Sequence, residues 1–235
     1  MVKFYEFLFL SYKPKSSDLE MEEVKLNQKE DLAKPINDIN LQLIELLKST
    51  FKTINDSKNH LKHFTYLAKL LKLNSVEELP KKLILLFRAS EHNFSASKFH
   101  KICDGKGPTL TIVRSTAKKL FGGYASKSWF SGNKRDSASD SFLFSLDHET
   151  IHNLYQRKDS ALGGFNDYGP YFGYNDLYLS NNCNVDQQSA SDLGSTYSLP
   201  EKTEKIDLKS YEARSYLTGS KFYFWVEEYE VFRVI

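Results

Sequence analysis

Cysteine is scarce in this 235-residue chain: Cys103 and Cys183 are the whole supply. Two thiols with no C-x-x-C pair make no disulfide framework, so a reducing compartment, the cytoplasm, is the expected location. Arginine is scarce as well, six residues against 26 lysines, and the net charge is only +2. Phosphate readers gather a clustered basic excess and favour guanidinium forks, so this balance argues against a nucleic-acid partner. Long apolar runs are missing. The run from Phe7 to Leu10 is too short for a membrane span or a signal h-region, and Lys13-Pro14-Lys15 follows where a cleavage site would need small residues. No membrane insertion is expected. Nor is there an internal repeat of the kind that builds solenoids.

What the chain does have is aromatic and β-forming mass: 17 Phe and 14 Tyr within a hydrophobic content of 40%. That suffices for one large domain, or one domain with an extension. The densest stretch runs from Leu85 to Trp129. Leu85-Leu86-Phe87 reads as a buried strand closed by Arg88. Ser95 reads as a helix N-cap, flanked by Phe94 and Phe99 at the staple positions. The helix must be short, because Asp104-Gly105-Lys106-Gly107-Pro108 follows, with Gly105 or Gly107 free to turn left-handed and Pro108 blocking continuation. Thr109 to Val113 is β-branched, and Leu120 to Tyr124 is its expected hairpin partner. Gly122-Gly123 within that strand signals a bulge or a close backbone approach.

Elsewhere the signals are coarser. Residues 1 to 12 read as a strand and 13 to 35 as a polar linker or loose arm. Ile39, Leu43, Leu46, Leu47 and Phe51 share one helical face. After an N-cap signal at Asn55-Asp56-Ser57, Leu61, Phe64, Leu67, Leu70 and Leu71 share another. This helical hairpin either packs on the main domain or docks a partner. Ser131 to Asp140 reads as a polar loop and Ser141 to Leu146 as a strand. Tyr168 to Ser180 reads as a Gly/Pro turn entering a strand, and Asn181 to Gly194 as a long polar loop. Gly194 to Leu199 re-enters the sheet, and Ser220 to Ile235 is β-forming almost throughout. The expected fold is α+β and mainly β: two antiparallel sheets packed as a β-sandwich, flanked by short helices, with an N-terminal helical extension over 1–74 and the main domain over 75–235.

Residues with chemical potential are few. His148-Glu149-Thr150-Ile151-His152 is a literal H-E-x-x-H, which holds zinc when both His lie on one helix face with the Glu as general base. Its strand-like setting argues against that. In an extended segment the two Cα atoms lie about 13 Å apart, and a third ligand would have to be remote, such as Glu201. His60 and His63, three apart on a helix, read as surface residues. Gly105 to Thr109 leads into a strand, where a phosphate loop must lead into a helix. No catalytic set, metal site or cofactor site is expected. Phe121, Tyr124, Trp129, Phe130, Tyr171 and Phe172 form either an exposed partner patch or sandwich core. Cys103 closes a helix, where the dipole opposes thiolate formation, and Cys183 sits in a polar loop as the more exposed thiol.

The ordered series LLFRAS, FSASKFHKICDGKGPTLTIVRS, FGGYASKSW, SFLFSL, GPYFGYNDLYLS, NNCN, LGSTYS and WVEEYEVFRV resembles the TLDc domain family, over residues of about 75 to 235. The resemblance implies a β-sandwich and a non-enzymatic protein-interaction module. It also implies binding to the vacuolar proton pump (V-ATPase) and a role in resistance to oxidative damage. The family-motif residues, as structural or partner-binding positions, are Ser95, Phe99, Asp104, Gly105, Gly107, Phe121, Gly122, Gly123, Tyr124, Trp129, Gly169, Phe172, Gly173 and Glu230. Cys103 and Cys183 become redox candidates by the same link, against the plainer reading of packed thiols. The alternative function is a structural component of a large cytosolic or cytoskeletal lattice, such as ciliary microtubules. The remote one is a zinc hydrolase through His148, Glu149 and His152.

Overall fold

The computed structural model describes residues 42–55, 59–200 and 210–235. The expected strand over 1–12, the linker over 13–35, the stripe member Ile39, the cap residues Asp56 and Ser57, and Glu201 lie outside them. The strands are β1 Leu83–Arg88, β2 Thr109–Ser115, β3 Leu120–Ala125, β4 Lys134–Asp136, β5 Phe142–Ser145, β6 Thr150–Asn153, β7 Leu162–Gly164, β8 Tyr168–Phe172, β9 Leu177–Ser180, β10 Ser189–Ala190, β11 Tyr223–Phe224 and β12 Val226–Val234. They form two six-stranded antiparallel sheets, ordered β1-β12-β2-β3-β5-β6 and β11-β10-β9-β8-β7-β4. The inner faces share one core, with Val113, Phe121, Leu143 and Val231 from the first sheet against Phe172, Leu177, Leu179 and Phe224 from the second. The sandwich expected from the sequence is the fold observed.

Within the first sheet the last strand, β12, lies between β1 and β2. The chain's final aromatic run is therefore an interior strand. The β2–β3 pair keeps continuous register from Thr109↔Ala125 to Arg114↔Leu120, so Gly122-Gly123 marks no bulge. The glycines serve close approach instead. A Cβ on Gly122 would meet the Thr111 carbonyl oxygen at 1.9 Å, and one on Gly123 would meet the Phe172 ring at 2.5 Å.

Short helices flank the sheets: α1 over 42–50, α2 Lys52–Asn55, α3 His60–Leu70, α4 Leu79–Lys82, α5 Ala96–Cys103 and α6 Tyr211–Ser215. Phe51, between α1 and α2, packs with tilted rings 4.8 Å from Phe232 of β12 and 5.6 Å from Phe64 of α3. Through this contact Phe51 and Phe64 join the packing against the sheet. Two stripe members, Leu46 and Leu61, face outward instead, and His63, expected at the surface, is buried. Burial lowers the His63 pKa from its ordinary value.

Several loops hold more order than their polarity suggested. The 131–140 loop contains β4, an edge strand of the second sheet, and 181–194 contains β10. Gly169-Pro170 lies within β8, and the reversal falls between β8 and β9, after Gly173. Gly194 to Leu199 forms no strand; it meets the first sheet at the Leu154↔Tyr197 bridge and through the Ser198 N–H, which donates to the Asn153 carbonyl of β6.

Candidate functional site

Polar side chains converge at three places, each of which joins elements distant in sequence. At one end of the sandwich, Ser95 caps α5 by accepting from the Lys98 N–H, and the Asn181 side chain accepts from the Ala96 N–H. His100, on the same helix, faces the Asp104 carboxylate through Nδ1 at 2.9 Å. Its Nε2 lies 3.1 and 3.0 Å from the carbonyl oxygens of Phe165 and Tyr168. Asp104 also accepts from the Ser131 hydroxyl at 2.6 Å, and the Gly107 N–H donates to Ser128 Oγ at 2.8 Å. Behind this network Trp129 packs edge-on to Phe99 and Phe172, and its indole N–H donates to Thr109 Oγ1 at 2.8 Å. Helix α5, the 104–107 turn, the 128–131 loop and β8 are thereby locked together.

On the outer face of the first sheet, Glu230 is fully buried and receives Arg88 Nε at 2.6 Å. The backbone N–H groups of Lys52 and Thr53 point at the same carboxylate, at 3.3 and 3.0 Å. Arg88 reaches on to Glu91 and to the Thr50 carbonyl, and Arg114 donates to the Thr53 carbonyl. One carboxylate thus caps the exposed start of α2 and ties it to β1 and β12.

The third place was not foreseen from the sequence. Asp176, in the β8–β9 turn, is fully buried, and its Oδ1 accepts from the N–H groups of Gly194, Ser195, Thr196 and Tyr197 at 2.9–3.2 Å. Its Oδ2 accepts from Tyr174 N–H. Burial pushes its carboxyl up to about 6, opposed by these backbone donors. Gly173 has φ +68, and a Cβ there would fall 2.2 Å from Asp176 Oδ2, so both backbone and space require glycine.

The thiols are closed off. Cys103 and Cys183 are both free and fully buried in the same core, and burial pushes each up to about 12. Cys183 is therefore not the exposed thiol its polar neighbours suggested. The H-E-x-x-H segment is a turn and a strand: Glu149 has φ 52, and His152 lies in β6. His148 stacks on Tyr216 at 4.6 Å, while the buried His152 bonds Ser198 O and Thr150 Oγ1. The helical face on which such a motif holds zinc is absent from this segment. Of the six aromatics weighed as a patch, Phe121, Trp129, Tyr171 and Phe172 are buried, and Tyr124 and Phe130 are half-buried.

Compared with known proteins, residues 56–235 match the family model described as the TLDc domain. The chain belongs to the TLDc family. Among relatives, TBC1 domain family member 24 of Xenopus laevis is 35% identical over 72 residues, covering 28% of this chain and 13% of that protein. GTPase-activating protein skywalker of Drosophila melanogaster is 31% identical over 27% of this chain and 12% of its own length. MTOR-associated protein MEAK7 of Danio rerio is 28% identical over 139 residues, 53% of this chain and 30% of that protein. The chain thus spans under a third of the length of each of these.

Within this TLDc fold the motif residues divide by place. Ser95, Phe99, Asp104, Gly105, Gly107, Trp129 and Phe172 meet at the α5 end, where Gly105 and Gly107 take φ +70 and +86. Phe121 fills the core edge-on to Phe224, and Tyr124 stacks on Phe142 outside it. Gly169 leaves room for the Tyr229 hydroxyl, which a Cβ would approach to 3.0 Å. Glu230 stands apart beneath α2. Sequence reading missed Asp176, His100 and Arg88, because their partners are backbone groups or residues far along the chain.

Proposed function

We propose that this chain acts in the cytoplasm as a non-enzymatic protein-interaction module of the TLDc family. It binds a large assembly, the V-ATPase by family resemblance, and supports resistance to oxidative damage. The observation that carries the reading is how the buried polar groups are used. Glu230, Asp176, His100 and His152 each join distant elements through protein partners, and both thiols are buried and protonated at neutral pH. Such groups, engaged by protein partners, hold a rigid body together, as a binding module needs. The relatives add support: TLDc segments occur in a protein named as a GTPase activator and in one named as mTOR-associated, as expected of a portable binding unit. Among the described residues no helix is long and apolar enough to cross a membrane.

The test is affinity capture of the tagged full chain from its own cells, with mass spectrometry, beside a version starting at residue 42. Cutting at residue 74 would strip Phe51 and Phe64 from β12 and expose the sheet, so 42 is the useful limit. Co-purified V-ATPase subunits are the expected result. Filament or axoneme proteins at fixed stoichiometry would shift the reading to a lattice component. Bound zinc with peptidase activity would overturn it.

A further inference from the structure

The outer face of the second sheet carries a row of side chains in register across all six strands. Arg135 of β4 pairs with Gly163 of β7, whose missing Cβ leaves room for the Tyr171 ring of β8. Tyr171 then pairs with Tyr178, Tyr178 with Ala190, and Ala190 with Tyr223. Tyr171 and Tyr178 lie flat on each other, 4.9 Å apart at 8°. At one end of this tiled face, two guanidinium groups meet one exposed ring: Arg135 lies 4.4 Å and Arg157 4.7 Å from the centroid of Tyr174.

Arg135 and Arg157 differ in their partners from Arg88, Arg114 and Arg214. Arg88, Arg114 and Arg214 each have a carboxylate, Glu230, Glu227 and Asp192 respectively. Arg135 is instead enclosed by the rings of Phe165, Tyr171 and Tyr174, and its Nε is buried with no hydrogen-bond acceptor. The ring faces attract the cation and Arg135 shares a side-chain hydrogen bond with Tyr171, while Nε itself keeps no acceptor. Arg157, with φ 44, is held beside it in a left-handed backbone conformation and has no carboxylate within ion-pair distance among the described residues.

We infer that Arg135 and Arg157 bind carboxylates of an acidic segment from a protein partner, added in extended form beside β4. The inference rests on the interaction-module reading and names its surface. Planar forks match carboxylates bidentately. Among the described residues β4 is an edge strand of its sheet, so an added strand finds backbone groups to pair with there, with alternate side chains facing the arginines. Tyr174, 44% exposed, offers aromatic area beside both arginines. A net charge of +2 supplies no broad field for nucleic acid or an anionic membrane, which favours a local carboxylate match.

The probe is a fluorescein-labelled peptide of alternating glutamate and valine, about eight residues long, titrated against the full chain by anisotropy. Binding is expected at physiological salt. Arg157→Gln, which alters an exposed side chain, should weaken it about tenfold, and Arg135→Lys, which keeps charge and bulk, by a similar factor. Lys98→Gln with Lys101→Gln, on the exposed face of α5, should leave it unchanged. Three results would overturn the inference: no binding of the peptide, equal loss in the lysine variant, or displacement by inorganic phosphate alone at millimolar levels. The two readings separate in the capture experiment. If wild type captures its assembly and Arg157→Gln captures it equally, this surface is wrong and the module stands; if wild type captures nothing, the module reading itself fails.

Discussion

Glu230 and Arg88 sit directly opposite each other on β12 and β1, Oε1 to Nε 2.6 Å apart, with Glu230 fully buried. The same carboxylate accepts the first N–H groups of α2, so a sheet pair and a helix start depend on one side chain. Glu230→Ala should cost roughly 3–5 kcal/mol, because it leaves a buried guanidinium and two backbone donors without their acceptor. Urea unfolding reads this directly. Hydrogen exchange should show α2 loosening before the sheet. Replacing Arg88 and Glu230 together by apolar residues should recover only part of the loss, since the Lys52 and Thr53 N–H groups stay unpaired.

Asp176 performs a related task for a loop. Four successive N–H groups, from Gly194 to Tyr197, converge on its Oδ1. Asp176→Ala should lose about 3 kcal/mol or more and release the 194–197 segment, seen as lowered protection there and a lower melting temperature. Asp176→Asn tests the second oxygen. If its amide group takes the Oδ2 position it will face the Tyr174 N–H, donor against donor, so this variant too should fall below wild type.

What could be read from the sequence follows from how local each signal is. Ser95 as a cap, the Thr109–Val113 strand, its hairpin and the left-handed glycines depend on neighbours within a few residues, and all appear as expected. Asp176 depends on backbone 18 to 21 residues away, which carries no side-chain signature. Cys183 misled because Asn181 and Asn182 point to α5 and its entry, through bonds to Ala96 and Phe94, while the thiol between polar neighbours turns inward. Leu46 and Leu61 fit a helical period but lie at its edge, where a few degrees decide exposure.

The pH response should reveal His152. Burial lowers its pKa from 6.5 to about 4, and it bonds Ser198 O through Nδ1 and Thr150 through Nε2, an arrangement suited to the neutral ring. A base depressed in the folded state binds its proton first in the unfolded chain. Its contribution is therefore complete above pH 6.5 and lost as pH falls toward 4, by about 3 kcal/mol in all. Asp176, raised from 3.8 to about 6, acts in the opposite sense, favouring the fold on acidification over that interval. The difference between wild type and His152→Gln isolates the histidine. That variant should be less stable at pH 7.5, and the gap should shrink as pH falls from 6.5 to 4; a constant gap would refute the assignment.

The proposed role in oxidation resistance need not run through this chain's own sulfur, and the buried thiols make that testable. Cys103 and Cys183 are both raised to about 12 by burial, and Asp104 adds to the effect at Cys103. At neutral pH almost none of either is thiolate, the reactive form. Native protein should thus label with a disulfide reagent orders of magnitude more slowly than denatured protein, and hydrogen peroxide at moderate concentration should leave both thiols reduced by mass spectrometry. Cys103→Ala and Cys183→Ala should lower stability by about 1–2 kcal/mol each through lost packing, while partner capture persists. A native thiol that labels at the free-thiol rate would overturn this, because it would mean the core opens at Cys103 or Cys183 and oxidants reach the inside of the sandwich.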